Sequence, residues 1–249
     1  MSEKLEKSSL VAGDRPRTRC ASDPASGLAS DPATRTIGLL CSEKETPFFQ
    51  DFIAERDANA RVLRITDGAA LAKVVEETGG FVRLISFLSD FIVPSATLSK
   101  LRLTPYNIHP APPRYPGAHP ESFAVWEGAK TYGVTAHEMV AKVDAGAIVA
   151  TTMFAIDGPR ERLALADRAY AEAIKVFAVV AAHCAESDLP MARMDTRWGA
   201  RKYYRRDFRA LCLEPKGMSP IDRDRLKRAC GPDFVPFEQQ GQSDSRALA

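Results

Sequence analysis

Apolar and polar positions divide the first half of the chain into short apolar runs and segments bounded by helix signals. Runs of the length typical of buried strands occupy residues 36–41, 60–65 and 81–88. Helix signals alternate with these runs at residues 47–56, 69–78 and 94–101. The signals include prolines in first turns, Asp67 as an N-cap, and the pair Gly79-Gly80 after the second segment. This alternation predicts an α/β fold with a doubly wound, mostly parallel sheet.

The second half of the chain continues the pattern. Residues 119–129 are predicted as a helix, and residues 132–139 and 147–156 alternate as strands do. The longest helix is predicted at residues 161–186, where apolar residues recur every three or four positions. We therefore expect the helices to pack on a sheet whose strands end in ligand-binding loops.

Composition suggests where the folded domain begins and ends. Residues 1–35 are rich in Ser, Ala, Pro, Asp and Arg without an apolar period, which predicts a disordered tail. The folded domain is predicted at residues 36–188. An extension follows at residues 189–238, and residues 239–249 are predicted as a second disordered tail.

The overall composition is that of an ordinary globular protein, with 249 residues, 45% hydrophobic and 27% charged. The net charge of +2 gives no field that points to nucleic acid or membrane. No apolar run reaches the roughly 18 residues of a membrane span, and the N-terminus lacks the apolar region of a secretory signal. Five cysteines without a CxxC pair favour a reduced, cytoplasmic setting.

The extension is strongly basic. Residues 201–228 contain ten Lys or Arg against four Asp or Glu, and residues 201–206 mix these cations with tyrosines. One interpretation is a contact for an anionic substrate. The other is a solvated surface arm.

Three polar residues form the main candidate for chemistry. Asn107 and His109 are two positions apart in an extended segment, so they face one side, while Ile108 faces the core. Asp144 opens a later turn before an apolar run. An amide, an imidazole and a carboxylate suit acyl transfer, as an oxyanion donor, an acid/base and the group that orients it.

Three motifs in register resemble the formyltransferase family that uses 10-formyltetrahydrofolate. They are similar to its Asn-x-His loop (residues 106–119), its Gly-x-Thr-x-His strand (residues 128–137) and its Asp-x-Gly turn (residues 143–149). The family includes enzymes that act on methionyl-tRNA, glycinamide ribonucleotide and amino sugars. The resemblance covers roughly residues 36–185.

The chain departs from the common family pattern in three ways. Ala-Pro-Pro follows His109-Pro110 where better-known members have Ser-Leu-Leu-Pro, so the loop resembles that of an outlying, short bacterial branch. The region before Asn107 is shortened at the front, as if one strand–helix unit were missing. Nothing after residue 186 looks like the barrel that tRNA formyltransferases carry, so a nucleic acid substrate is not expected.

The resemblance implies a Rossmann-like formyltransferase fold and a set of roles. Asn107 would stabilise the oxyanion, His109 would move a proton, and Asp144 would orient His109. It implies 10-formyltetrahydrofolate as formyl donor, no metal, and a small anionic or nucleotide-linked amine as acceptor. The pterin would lie in an apolar slot formed by Phe87, Leu88, Ile92 and Val143.

Two other functions stay open at this point. With water in place of the amine, the same site would be a 10-formyltetrahydrofolate hydrolase. A chain that kept the fold and lost activity would be a folate-binding regulatory homologue. The sequence leaves the oligomeric state open.

Overall fold

A computed structural model describes residues 9–12, 35–158 and 161–240. The strands are β1 (Ser9–Ala12), β2 (Thr36–Leu40), β3 (Arg61–Arg64), β4 (Val82–Phe87), β5 (Tyr106–His109), β6 (Thr131–Glu138) and β7 (Ile148–Ala155). The helices are α1 (Thr46–Ala54), α2 (Gly68–Glu77), α3 (Ser95–Leu98), α4 (Pro120–Trp126), α5 (Arg162–Glu186), α6 (Arg205–Leu211) and α7 (Pro220–Cys230), with 3-10 turns at Gly231–Asp233 and Phe237–Gln239. The predicted elements between residues 36 and 186 are present, although the predicted helix at 94–101 is only the short α3.

The described strands form one mixed sheet in the order β1-β7-β6-β5-β4-β2-β3. The pairs β2–β3, β2–β4 and β4–β5 are parallel. The pairs β5–β6, β6–β7 and β1–β7 are antiparallel. The α/β prediction is confirmed, but the antiparallel half of the sheet is larger than predicted because β6 and β7 form a hairpin beside β5.

The register of the central strands brings the predicted site residues together. Ser86 of β4 lies opposite Asn107 of β5, and Asn107 lies opposite His137 of β6. Because β4 and β5 are parallel, the loops that follow them leave the same edge of the sheet. That edge carries the cavity described below.

The chain ends differ from the predicted tails where they are described. Residues 9–12, inside the predicted disordered tail, form β1 and pair with β7. The rest of residues 1–34, and residues 241–249 of the second tail, lie outside the described part of the chain. Gln239 is the last residue of the second 3-10 turn, and Gln240 follows it.

The basic extension is part of the fold. α7 packs against α4 and buries Leu226, Ala229 and Cys230. A wholly solvated arm would leave such side chains in water. The interpretation of the extension as a solvated surface arm is therefore wrong for α7. None of the described helices is both long and apolar enough to cross a lipid bilayer.

Candidate active site

A cavity of about 1280 Å³ opens where β4 and β5 end. The loops after these strands line it, together with the Asp144 turn and the cationic residues that precede and form α6. Asn107, His109 and Asp144 all line this cavity, as their pattern in the sequence predicts. The tertiary fold therefore brings the Asp144 turn next to the strand that carries Asn107 and His109.

The ring of His109 is held by the loop that follows it. His109 is 5% exposed, and its Nε2 lies 2.9 Å from the carbonyl oxygen of Tyr115. Since a carbonyl can only accept, Nε2 must carry a hydrogen. Nδ1 is thus the nitrogen that gains or loses a proton, and it lies 3.9 Å from Oδ1 of Asp144.

His137 orients the amide of Asn107. Its Nδ1 lies 2.8 Å from the carbonyl oxygen of Glu138, so Nδ1 carries a hydrogen and Nε2 is the nitrogen that faces Asn107. The Nδ2 group of Asn107 donates to that Nε2 over 3.1 Å. One N–H of the amide is used in this way, and the other remains for a ligand. The histidine of the Gly-x-Thr-x-His strand thus supports the amide of Asn107.

Asp144 receives hydrogen bonds from one loop and faces two imidazoles. Its Oδ2 accepts the backbone N–H of Gly117 over 2.9 Å. Its Oδ1 lies 3.4 Å from Nε2 of His137, closer than the 3.9 Å to His109. The turn needs glycine two residues later, because a Cβ on Gly146 would lie 1.9 Å from the carbonyl oxygen of Glu138.

Backbone strain concentrates at this cavity. Among the described residues, Leu88, His119 and Asp144 are the non-glycine residues with positive φ, at 50°, 53° and 48°. All three line the cavity. Such conformations are costly and tend to persist where function requires them.

Burial and charge act in opposite directions on the two central groups. Burial lowers the pKa of His109, and the negative charge of Asp144 only partly offsets this. Burial also disfavours the charged form of Asp144, but His137, His109 and the Gly117 N–H outweigh it and lower its pKa to about 2. Near neutral pH the site therefore holds an ionised Asp144 beside a neutral His109.

The unfolding midpoint is expected to fall in two steps as the pH is lowered. Unfolded His109 binds a proton near pH 6.5, but the folded pKa is lower, so its stabilising contribution is present above pH 6.5 and lost below it. Asp144 contributes above pH 3.8 and loses this contribution as the pH falls towards 2. Thermal unfolding of wild type and His109→Gln across this range tests the assignment. The fall in the unfolding midpoint that begins near pH 6.5 should be smaller in His109→Gln than in wild type. A fall of unchanged size would contradict the assignment to His109.

Of the four predicted pterin contacts, three line the cavity. Leu88, Ile92 and Val143 are 36%, 66% and 39% exposed there. Phe87 does not line it and is buried in the core against Phe49 and Phe177. Alternation along β4 explains the correction, since Ser86 faces the cavity and the next side chain faces the core.

Sequence reasoning missed the segment at residues 198–204, here called the C-terminal strap. Trp198 packs edge-on against the rings of His137 and His109, at centroid distances of 5.1 and 5.9 Å. Its indole N–H donates to the carbonyl of Gly146 over 2.8 Å. The mixture of aromatic and basic residues was a signal for this segment, but it did not indicate contact with the loops that carry the candidate residues.

The cavity also has a cationic wall, formed by Lys202, Arg205, Arg206 and Arg209. Arg205 pairs with the exposed Asp90 over 2.9 Å, and Arg206 lies 3.8 Å from Asp207. Lys202 binds the carbonyl of Val143, and Arg209 has no ion pair with any described residue. Within the same described residues, no group of three or more His, Cys, Asp or Glu is arranged to hold a metal ion.

The fold is shared with solved N-formyltransferases and with HypX. A sugar N-formyltransferase from a Shewanella species is 18% identical, with a TM-score of 0.64 over 78% of this chain and 87% of that one. An N-formyltransferase from Helicobacter canadensis, solved with folinic acid and dTDP-3-aminofucose, is 13% identical, with a TM-score of 0.60 over 79% and 80%. HypX from Aquifex aeolicus, solved with tetrahydrofolic acid, is 15% identical, with a TM-score of 0.51 over 80% and 34%.

Sequence comparison gives the family directly. No curated protein sequence matches the chain. The family model described as formyl transferase matches residues 32–180, which contain all three motifs recognised in the sequence. Because this match spans more than half of the chain, the protein belongs to the formyl transferase family.

Proposed function

We propose that this protein transfers the formyl group of 10-formyltetrahydrofolate to an amine on a small anionic acceptor. The observation that carries the proposal is the convergence of Asn107, His109 and Asp144 on one cavity. In an inactive homologue, nothing would require His137 to orient the amide of Asn107. Nothing would require the carboxylate of Asp144 to lie between two histidines either.

The cavity suits a folate donor together with an acceptor. Its volume of about 1280 Å³ exceeds the roughly 300–1,000 Å³ of a typical small-ligand site. Leu88, Ile92, Val140 and Val143 expose apolar surface that a flat pterin ring could cover. The Helicobacter relative, solved with folinic acid, and HypX, solved with tetrahydrofolic acid, support this choice of donor. When bound, the donor supplies an activated formyl carbon.

The three residues then have distinct roles. The free N–H of Asn107 stabilises the negative charge that develops on the formyl oxygen as the amine nitrogen bonds to the formyl carbon. Nδ1 of His109 takes the proton that the amine loses, and Asp144 stabilises the resulting imidazolium. His109 returns that proton to the departing folate nitrogen as its bond to the formyl carbon breaks. The cycle leaves the protein unchanged.

The cationic wall favours an acceptor with an anionic group. Lys202 and Arg209 have no carboxylate partner in the described residues. The carboxylate partner of Arg206 is Asp207, at a distance of 3.8 Å. Phosphate oxygens would form charge-assisted hydrogen bonds with such side chains. The Helicobacter relative, solved with a nucleotide-linked amino sugar, supports the same class of acceptor.

Release of tetrahydrofolate tests the function. Purified protein is incubated with 10-formyltetrahydrofolate and a panel of amines that includes nucleotide-linked amino sugars. Acceptor-dependent release supports transfer, whereas release without an acceptor identifies a hydrolase. If no release occurs and folinic acid does not raise the unfolding midpoint, the proposal is wrong.

The double substitution Arg206→Gln/Arg209→Gln is expected to raise the acceptor's KM by about tenfold or more, because charged hydrogen bonds are lost. The KM of the folate should change by less than about twofold, since the apolar lining is untouched. Initial rates with each substrate varied in turn measure both constants. The charge-matched control Lys216→Gln/Lys227→Gln removes two cations that do not line the cavity. Equal effects of the two pairs would rule out a specific anion contact.

A further inference from the structure

The C-terminal strap is hydrogen-bonded along the loop that follows His109. The N–H of Gly199 donates to the carbonyl of Pro113 over 2.8 Å, and the N–H of Tyr203 donates to Pro116 over 2.9 Å. Ala118 in turn donates to the carbonyl of Tyr203 over 2.9 Å. The strap thus holds the middle and the end of the loop, although it lies outside residues 32–180 that match the family.

This pairing fixes the group that binds Asp144. Gly117 lies between the two Tyr203 hydrogen bonds, and its own N–H donates to Asp144 over 2.9 Å. Lys202 of the strap also binds the carbonyl of Val143, the residue before Asp144. The strap therefore contacts both loops that carry the candidate catalytic groups.

The carboxylate of Glu127 connects the C-terminal strap to the loop that follows His109. Glu127, at the end of α4, accepts the hydroxyl of Tyr203 over 2.7 Å and that of Tyr115 over 3.1 Å. Both tyrosine side chains are buried, at 4% and 1% exposure. Tyr115 is the residue whose carbonyl holds His109.

We infer that Glu127 is a positioning residue for formyl transfer, acting through Tyr115 on His109 and through Tyr203 and Gly117 on Asp144. The inference rests on the proposed function for its catalytic consequence. The hydrogen bonds themselves make Glu127 the shared anchor of both groups. A carboxylate that accepts a tyrosine hydroxyl on each of its two oxygens fixes geometry that one acceptor oxygen could not.

Glu127→Gln is expected to lower kcat by about 10- to 100-fold, the usual range for groups that orient a catalytic ligand. The KM values should change by less than about twofold, because Glu127 does not line the cavity. The amide has one acceptor oxygen, so one tyrosine hydroxyl loses the acceptor for its proton. Tyr203→Phe, which keeps the ring packed on Phe123, should lower kcat in the same direction.

The control is Arg114→Gln, which removes the third partner of the same carboxylate. Arg114 is 70% exposed, so wild-type kcat is expected. Wild-type kcat in folded Glu127→Gln, or equal losses in Arg114→Gln, would overturn the inference. A drop in the kcat of Glu127→Gln that is fully explained by the fraction of unfolded variant would also overturn the inference.

A readout independent of turnover separates this inference from the function. The imidazole signals of the four histidines are followed by NMR against pH, with His109 assigned through His109→Gln. The Tyr115 carbonyl raises the pKa of His109, so in Glu127→Gln the His109 titration should move to lower pH. If wild type transfers no formyl group, the proposed function fails, but this titration still decides whether Glu127 positions His109. An unchanged His109 titration would overturn that coupling.

Discussion

His109→Ala is expected to lower kcat by about 10²- to 10⁴-fold, the range that a positioned acid or base contributes. The ring lines the cavity with its Nδ1 3.9 Å from Oδ1 of Asp144, and its other nitrogen is committed to the Tyr115 carbonyl. Alanine leaves Asn107 and Asp144 in place, so some rate above the uncatalysed reaction should remain. Tetrahydrofolate release with a saturating acceptor measures the loss.

The matched control for His109→Ala is His183→Gln. His183 lies in the last turn of α5 and binds the carbonyl of Leu189 over 2.7 Å, away from the cavity. It should keep wild-type turnover. Circular dichroism and folinic acid binding verify that His109→Ala is folded. Near-wild-type turnover in His109→Ala would refute proton transfer by this residue.

Gly117→Ala is expected to reduce the free energy of unfolding by about 2–5 kcal/mol, from backbone strain and overpacking together. Gly117 has φ of 109°, and a Cβ there would lie 1.9 Å from the carbonyl oxygen of Tyr203. The strap must move away or the loop must change shape. Either movement also weakens the Gly117 hydrogen bond to Asp144, so kcat should fall in the protein that remains folded.

Gly217→Ala separates the two causes of destabilisation. Its φ is also positive, at 75°, but nothing lies within 4 Å of a Cβ built there. It should lose only the backbone contribution, about 1–2 kcal/mol, and keep wild-type kcat. Denaturant unfolding of both variants gives the two free energies. Equal losses would mean that the close approach of the strap to Gly117 contributes nothing.

The secondary structure and part of the site were readable from local patterns. Period-two alternation placed Asn107 and His109 on one side of β5, and both line the cavity. The same rule would have excluded Phe87, because the side chain next to Ser86 on β4 must face the core. The prediction for Phe87 was wrong because a position at the end of a strand does not change the side that its side chain faces.

The mixed sheet and the strap were harder to foresee. Whether two strands run parallel depends on how the connection between them packs, which local periodicity does not encode. The hydrogen bonds between Tyr203 and the residues Pro116 and Ala118 join positions more than 80 apart in the sequence. No pattern within either segment records such a pairing.

By itself the sequence determined the α/β class, the family and the amide, imidazole and carboxylate that line the cavity, because these depend on short motifs and local periods. Only the tertiary structure decided which groups hold them. It placed His137 within hydrogen-bonding distance of the Asn107 amide, and it placed the N–H of Gly117 where it donates to Asp144. It also folded the basic extension into one wall of the cavity. These contacts come from distant segments that meet through packing and directional hydrogen bonds, and such contacts exist only once the chain has folded.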